Sequence, residues 1–186
     1  MTVPVVPPED ITFLEPFDWL ETYLSIFKND TDYGFENRTN PDLNVFKQYN
    51  AVQSLPKTIG QMPALWVACE GFESLPGERT PIGFLTHFQA YVDIYMIVHR
   101  GMSLQYDDKM WTVPSSEHSP EPENNLLFLL IEYVGRKIED NILIETADYS
   151  INQKAFIDGE FFYDGFQGNA DARAVRIGIS MEVERE

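Results

Sequence analysis

The strongest constraint on the fold is a two-residue alternation in residues 86–101, THFQAYVDIYMIVHRG. From 88 to 98 its even positions are apolar, and its odd positions from 87 to 99 carry mainly polar and aromatic side chains. Successive side chains of a β-strand point to opposite faces of the sheet, so a period of two is typical of a strand with one buried face. The pattern predicts a long strand whose buried face is formed by Phe88, Ala90, Val92, Ile94, Met96 and Val98.

The same segment holds two of the three histidines, His87 and His99, with Asp93 midway between them. At roughly 3.3 Å per residue the two histidines of an unbroken strand lie about 40 Å apart, and Asp93 lies about 20 Å from either. A metal ion does not bridge such distances. The segment is therefore interpreted as structural, and a site at any of these residues would need partners from other elements.

Two segments have the spacing of amphipathic helices. Residues 15–30, EPFDWLETYLSIFKND, and residues 124–141, NNLLFLLIEYVGRKIEDN, both repeat apolar side chains with the helical period. Asparagine is a favoured N-cap, so Asn124 or Asn125 is predicted to begin the second helix. These are expected to be the two main helices.

The remaining apolar segments predict strands. Residues 63–73, PALWVACEGFE, are nearly continuously apolar, and a turn-rich loop joins them to 86–101, which predicts an antiparallel hairpin. The closing segment 174–186, AVRIGISMEVERE, alternates in character, and 103–114 and 142–151 predict shorter strands. Two weaker patterns predict a short helix beginning at the proline of PDLNVFKQYNAV and a hairpin in FIDGEFFYDGF.

Together these elements predict an α+β fold, a mixed and mostly antiparallel sheet packed by two main helices in a single domain. Residues 1–12 are expected to be an extended N-terminal arm because of their prolines. Residues 13–186 are expected to be the domain, with a candidate hairpin insertion at 148–170. The sequence has no run of about 18 apolar residues, so no membrane span is predicted. The first residues do not have the pattern of a secretory signal, so none is predicted.

Composition narrows the class of function. The chain has 13 basic and 30 acidic residues, a net charge of −17. Binding to nucleic-acid phosphates depends on clustered Lys and Arg, so it is disfavoured as the main function. The single cysteine, Cys69, excludes an internal disulfide and suits a reducing compartment. It is expected to be a small buried thiol.

The sequence contains no phosphate-binding loop, no dinucleotide-binding fingerprint, no HExxH motif, no CxxC pair and no GxSxG nucleophile elbow. Adjacent acids such as Asp107 with Asp108 and Glu121 with Glu123 lack the spacing of a calcium loop. Glu139 with Asp140 gives no sign of a pocket that raises one pKa. We therefore expect no catalytic residue, no metal and no cofactor.

The layout resembles that of the tail terminator, or tail completion, proteins of long-tailed bacteriophages. The resemblance is carried by FDWLETYLSIF, MPALWVACEGFE, FQAYVDIYMIVHRG, NNLLFLLIEYVGRKIEDN and AVRIGISMEVERE, and it covers roughly residues 13–186 as an arrangement. The stretch from Asp148 to Gly168 departs from it, because it is longer and more aromatic than a minimal member requires.

The resemblance implies a homo-oligomer, a hexameric ring that caps the tail tube, stops its polymerisation and joins the tail to the head. The implied partners are the tail tube protein and a connector or neck protein, and DNA passes through the lumen without specific binding. The implied location is the virion, with host cytoplasm during assembly and no membrane. The candidate subunit or tube interface is Tyr91, Asp93, Tyr95, Ile97, Leu129, Pro7 and Pro8.

Other functions remain open from the residues alone. A neck connector or a minor tail protein is the nearest alternative. A small cytosolic α+β enzyme would use His87 or Asp93 with residues from other strands, and it requires a closed polar pocket beside one of them. An acidic module that mimics nucleic acid would require a continuous stripe of acids, whereas the acids here are dispersed along the flanks of the chain.

Overall fold

The computed structural model describes residues 18–27, 44–47, 62–75, 87–114 and 124–185. Its elements, in chain order, are helix α1 (Asp18–Leu24), which continues as a 3-10 turn (Ser25–Phe27), strands β1 (Asn44–Lys47), β2 (Ala64–Ser74), β3 (His87–His99), β4 (Ser103–Tyr106) and β5 (Lys109–Thr112), helix α2 (Leu126–Asp140), and strands β6 (Leu143–Glu145), β7 (Tyr149–Phe162) and β8 (Ala172–Arg185).

Six of these strands form one sheet in the order β1-β2-β3-β8-β7-β6. The pairing of β1 with β2 is parallel, and the other neighbours pair antiparallel. Strands β4 and β5 form a separate hairpin. The predicted α+β class with a mixed, mostly antiparallel sheet is confirmed, and β2 and β3 pair as the sequence predicts.

The two faces of β3 have different environments. Its even positions lie in the main apolar core, where they pack with residues of both helices, among them Trp19, Tyr23, Leu130 and Val134. Ile97, on the other face, belongs to a second and smaller cluster with Met62, Ala64, Trp66, Ala68, Phe166, Ala172 and Ala174. The apolar even positions of the sequence alternation therefore lie on the face of the sheet that the helices cover.

Helix α2 begins where the sequence predicts. The side chain of Asn125 accepts a hydrogen bond from the backbone N–H of Leu127 at 2.9 Å, which satisfies one of the free donors of the first turn. Helix α1 and the 3-10 turn that follows it cover residues 18–27 of the predicted segment 15–30, and the other residues of that segment lie outside the described ranges. Neither described helix combines the length and the apolar character needed to cross a membrane.

Three predictions of local structure are wrong. Within residues 41–52, Asn44–Lys47 form a strand rather than a helix, because they pair with Ala64–Val67 of β2. Residues 103–114 form a hairpin rather than one strand, since Asp107 and Asp108 both adopt positive φ, 51° and 57°, as a two-residue hairpin turn requires.

The third concerns FIDGEFFYDGF, residues 156–166, which is not a hairpin by itself. Its first part continues β7 as far as Phe162, and the chain turns to β8 only after that. Asp158-Gly159 is a frequent turn dipeptide, but here a register shift between Phe156 and Asp158 lets the chain stay paired with β8. The candidate insertion 148–170 thus holds β7 and the turn that follows it.

Candidate functional site

The sheet face turned away from α1 and α2, here called the outer face, carries most of the predicted interface residues. On β3 it is formed by the odd positions, including Tyr91, Asp93 and Tyr95. The register sets Asp93 opposite Gly178 of β8, and Gly178 opposite Asp158 of β7. This alignment brings side chains from three strands together.

Arg176 of β8 joins these side chains. Its Nη1 donates to Asp93 Oδ2 at 3.1 Å, its Nη2 donates to Asp158 Oδ2 at 2.8 Å, and its Nε lies 3.7 Å from Glu160 Oε2. Asp93 is buried, with 7% of its surface exposed. The hydrogen bond with Asp93 raises the pKa of Arg176, so the guanidinium is a permanent counter-charge for the buried carboxylate.

A glycine makes room for this arrangement. A Cβ atom on Gly178 would lie 2.5 Å from Asp158 Oδ1 and 3.2 Å from Asp93 Oδ1. The first distance is shorter than van der Waals contact allows, so any other residue would displace the Asp158 carboxylate. Gly178 therefore allows two carboxylates to meet at one arginine.

Tyr95 connects the charged group to an aromatic cluster. Its hydroxyl donates to Asp93 Oδ2 at 3.3 Å, and burial, with the nearby Asp93 charge, raises the pKa of Tyr95 to about 12. Its ring centroid lies 4.9 Å from that of Trp66 and 5.3 Å from that of Phe166. This cluster covers the end of the outer face where Ile97 lies.

Farther along the outer face the side chains are more exposed. Tyr91 donates to Glu73 Oε1 at 2.8 Å, and this hydrogen bond raises the pKa of the Tyr91 phenol. Beyond it, Glu182 accepts from Lys154 Nζ at 2.8 Å and contacts His87 Nε2. The hydrogen bonds from Lys154 and then His87 lower the pKa of Glu182.

The predicted interface residues have different surroundings. Tyr91 and Tyr95 are half-buried and retain accessible surface on the outer face, whereas Asp93 is buried beside Arg176. Ile97 and Leu129 are 0% and 1% exposed, because they pack in the two cores, so they offer no surface to another molecule. Pro7 and Pro8 lie outside the described residues.

The candidate enzyme residues are not brought together. His87 and His99 are the first and last residues of β3, and Asp93 lies between them with Arg176 and Tyr95 as partners. Cys69 is half-buried in β2, and burial raises the pKa of its thiol. Among the described residues, no group of three or more His, Cys, Asp or Glu is placed to hold a metal ion.

A groove between α2 and β7, here called the α2–β7 groove, is not predicted by the sequence. It has a volume of about 530 Å³ and continues into a hollow of about 100 Å³ that shares Glu139 and Phe156. Neither His87 nor Asp93 lines either space. The residues around the larger part are Ile131, Glu132, Gly135, Arg136, Glu139, Phe156, Asp158, Gly159 and Ile177.

The outer edge of β7 is the second surface that sequence reasoning missed. Strand β6 pairs only with Ser150–Asn152, so no described strand pairs with residues 154–162 on the side away from β8. Phe156 and Ile157 on this stretch are 49% and 55% exposed. Two adjacent apolar residues in a segment predicted to be a hairpin were the signal that could have revealed it.

Comparison with profiles of known protein families gives no match, and comparison with curated proteins gives no significant similarity.

Proposed function

We propose that the protein is a structural virion protein that forms a ring at the end of a phage tail tube, ends tube polymerisation and joins the tail to the neck. This is the function that its resemblance to tail terminator proteins implies. The observation that supports it best is the edge of β7 at residues 154–162, with which no described strand pairs on the side away from β8, and on which Phe156 and Ile157 are exposed.

An open strand edge favours contact with another chain. Its unpaired N–H and C=O groups form a template for a further strand, and monomeric proteins usually protect such edges with charges, prolines or covering segments. Residues 154–162, KAFIDGEFF, carry one lysine, two acids and no proline, and the exposed Phe156 and Ile157 lie between the lysine and the acids. The exposed apolar pair makes the edge adhesive as well as open.

The position of this edge suits a ring. Among the described strands of the sheet, β1 lies at the opposite end, so the described part of one subunit has two different edge strands. Contact between two different surfaces of identical subunits is head-to-tail, and it closes into a ring when the rotation between subunits is suitable. A ring assembled through β7 and β1 would have each subunit in the same environment.

The charge of the chain sets the conditions for assembly. Each subunit carries −17, so neighbouring subunits repel one another. The Debye length falls from about 10 Å at 0.1 M salt to about 3 Å at 1 M, and ring formation is therefore expected to strengthen with added salt. The same charge would let DNA pass through the ring without adhering to it.

The decisive experiment measures the mass of the purified protein by light scattering at about 0.1 M and about 1 M salt, alone and with tail tubes, and images the products by negative stain. The test variant is Ile157→Lys, which puts a charge on the β7 edge. The control is Met110→Lys on the β4–β5 hairpin, because Met110 and Ile157 are both 55% exposed.

The proposal predicts six-fold rings, free or at tube ends, that Ile157→Lys abolishes and Met110→Lys preserves. A protein that stays monomeric at both salt concentrations and does not bind tubes would contradict it. Rings that do not bind tubes would favour a neck connector. Equal assembly of Ile157→Lys and the unaltered chain would show that the β7 edge is not the contact.

A further inference from the structure

We propose that the α2–β7 groove binds an apolar side chain that a different polypeptide presents between basic residues. The proposal concerns a side-chain pocket and does not depend on ring formation. Three observations carry it: two glycines that keep the groove open, apolar walls, and one glutamate, Glu139, that lines the groove and forms no ion pair within the described ranges.

Gly135 lies in the interior of α2, where glycine costs about 1 kcal/mol relative to alanine. Close packing is not the reason for a glycine here, because a Cβ atom on Gly135 would meet nothing within 4 Å. Gly135 is also not one of the described glycines with a positive φ, so its backbone conformation does not require a glycine. The consequence of the missing side chain is open space in the groove.

Gly159 of β7 lies in the same groove. A Cβ atom there would make a single contact, at 3.4 Å, with the backbone oxygen of Arg176, which is close to ordinary van der Waals distance. Neither glycine is therefore required by a close backbone approach. The interiors of α2 and β7 thus each lack a side chain where they line the α2–β7 groove. The space left by the two glycines is here called the notch.

The notch has apolar walls. Ile131 of α2, Phe156 of β7 and Ile177 of β8 contribute its apolar surface. Nearby, α2 and β7 make contact through Phe128 and Phe161, whose ring centroids lie 5.1 Å apart. The volume of the groove exceeds that of any single side chain, so an aromatic residue has room to enter.

Charge favours a partner with basic residues. On the α2 side of the groove, Arg136 is paired with Glu132, while the carboxylate of Asp158 is held on the outer face by Arg176. Glu139 also lines the groove and forms no ion pair within the described ranges. Lys or Arg beside the entering side chain would complement Glu139, and a partner with basic residues would be attracted to a chain of −17.

The test uses the whole protein, labelled with ¹⁵N, and a capped synthetic pentapeptide with one central tryptophan between four lysines. Two further peptides replace the tryptophan by alanine or the lysines by glutamates. We expect amide shifts confined to the α2–β7 groove with the first peptide, and at least about tenfold weaker binding of the other two. Added salt should weaken the binding, the opposite of its expected effect on ring formation.

The test variant is Gly135→Leu, which fills the notch and replaces glycine by a good helix former. The control is Gly71→Leu, because a Cβ atom on Gly71 also meets nothing within 4 Å and Gly71 lies on β2, away from the groove. Circular dichroism checks that both variants fold. Gly135→Leu should weaken binding of the tryptophan peptide at least about tenfold, and Gly71→Leu should leave it unchanged.

Equal binding of the alanine and tryptophan peptides would overturn the proposal, since the attraction would then be charge alone. Binding that Gly135→Leu does not affect would overturn it as well. If the peptide does not bind but Gly135→Leu lowers the mass of the assembled protein, the groove holds a second copy, and the proposal of a basic partner is wrong.

Discussion

Asp93 of β3 and Arg176 of β8 are separated by 83 positions in the chain, yet Arg176 Nη1 lies 3.1 Å from Asp93 Oδ2. The side chain of Asp93 is 10% exposed, and that of Arg176 is 22% exposed. The second carboxylate on the same guanidinium, that of Asp158, is 52% exposed. One arginine therefore holds a buried and an exposed acid, and their contributions to stability should differ.

Asp93→Asn is expected to lower the free energy of unfolding by about 2 kcal/mol. The loss is below the 3–5 kcal/mol that breaking a fully buried pair costs, because Arg176 keeps Asp158 and some contact with solvent. Asp158→Asn should cost less than about 1 kcal/mol, as exposed pairs do. Urea unfolding of both variants at low salt measures the difference, and equal losses would contradict the assignment of Asp93 as the buried partner.

Tyr23→Phe is expected to raise the free energy of unfolding by about 1 kcal/mol. Tyr23 is fully buried, and its hydroxyl has no hydrogen-bond partner in the described part of the chain, so folding leaves this group without the bonds that water provides. The ring contact with Phe27 would be kept. Tyr91→Phe, at a hydroxyl bound to Glu73, is the control and should not stabilise. A destabilised Tyr23→Phe would show that the hydroxyl has a partner.

Gly135→Ala should raise the free energy of unfolding by about 0.5–1 kcal/mol, because alanine is the better helix former and its Cβ has open space. Gly165→Ala should lower it by more than about 1 kcal/mol. Gly165 has a φ of +133°, and a Cβ atom there would lie 3.1 Å from the backbone oxygen of Asn169. Thermal unfolding of the two variants compares them directly. If Gly135→Ala also destabilised the protein, the missing side chain would have a packing role.

The pH dependence of stability should include a contribution from Glu182. Its pKa is lowered in the folded chain, first by Lys154 and then by His87, so its stabilising effect is complete above the ordinary value of about 4.3 and is lost as the pH falls through the lowered pKa. Unfolding measured from neutral pH into the acid range should therefore show a smaller acid loss in Glu182→Gln than in the unaltered chain.

The control for this pH experiment is Glu184→Gln, at an exposed carboxylate on the same strand. Its acid loss should match that of the unaltered chain. If Glu182→Gln and Glu184→Gln behaved alike, the bonds with Lys154 and His87 would not contribute to the acid sensitivity.

Patterns within single elements were predictable from the sequence. The alternation of 86–101 predicted β3 and its buried face. The helical period, together with Asn125 as the N-cap, predicted α2 and its start. Both depend on where successive side chains of one element point, which is a local property of the backbone. The α+β class followed from the order of such elements.

The tertiary structure decided what depends on contacts between distant segments. Asn44–Lys47 forms a strand because it pairs with β2. Asp158-Gly159 is part of β7 because β7 pairs with β8 on both sides of the bulge. The carboxylates at Arg176 and the α2–β7 groove likewise arise between elements far apart in the chain. Side-chain period defines which face of an element is buried, but register and packing determine which elements meet there.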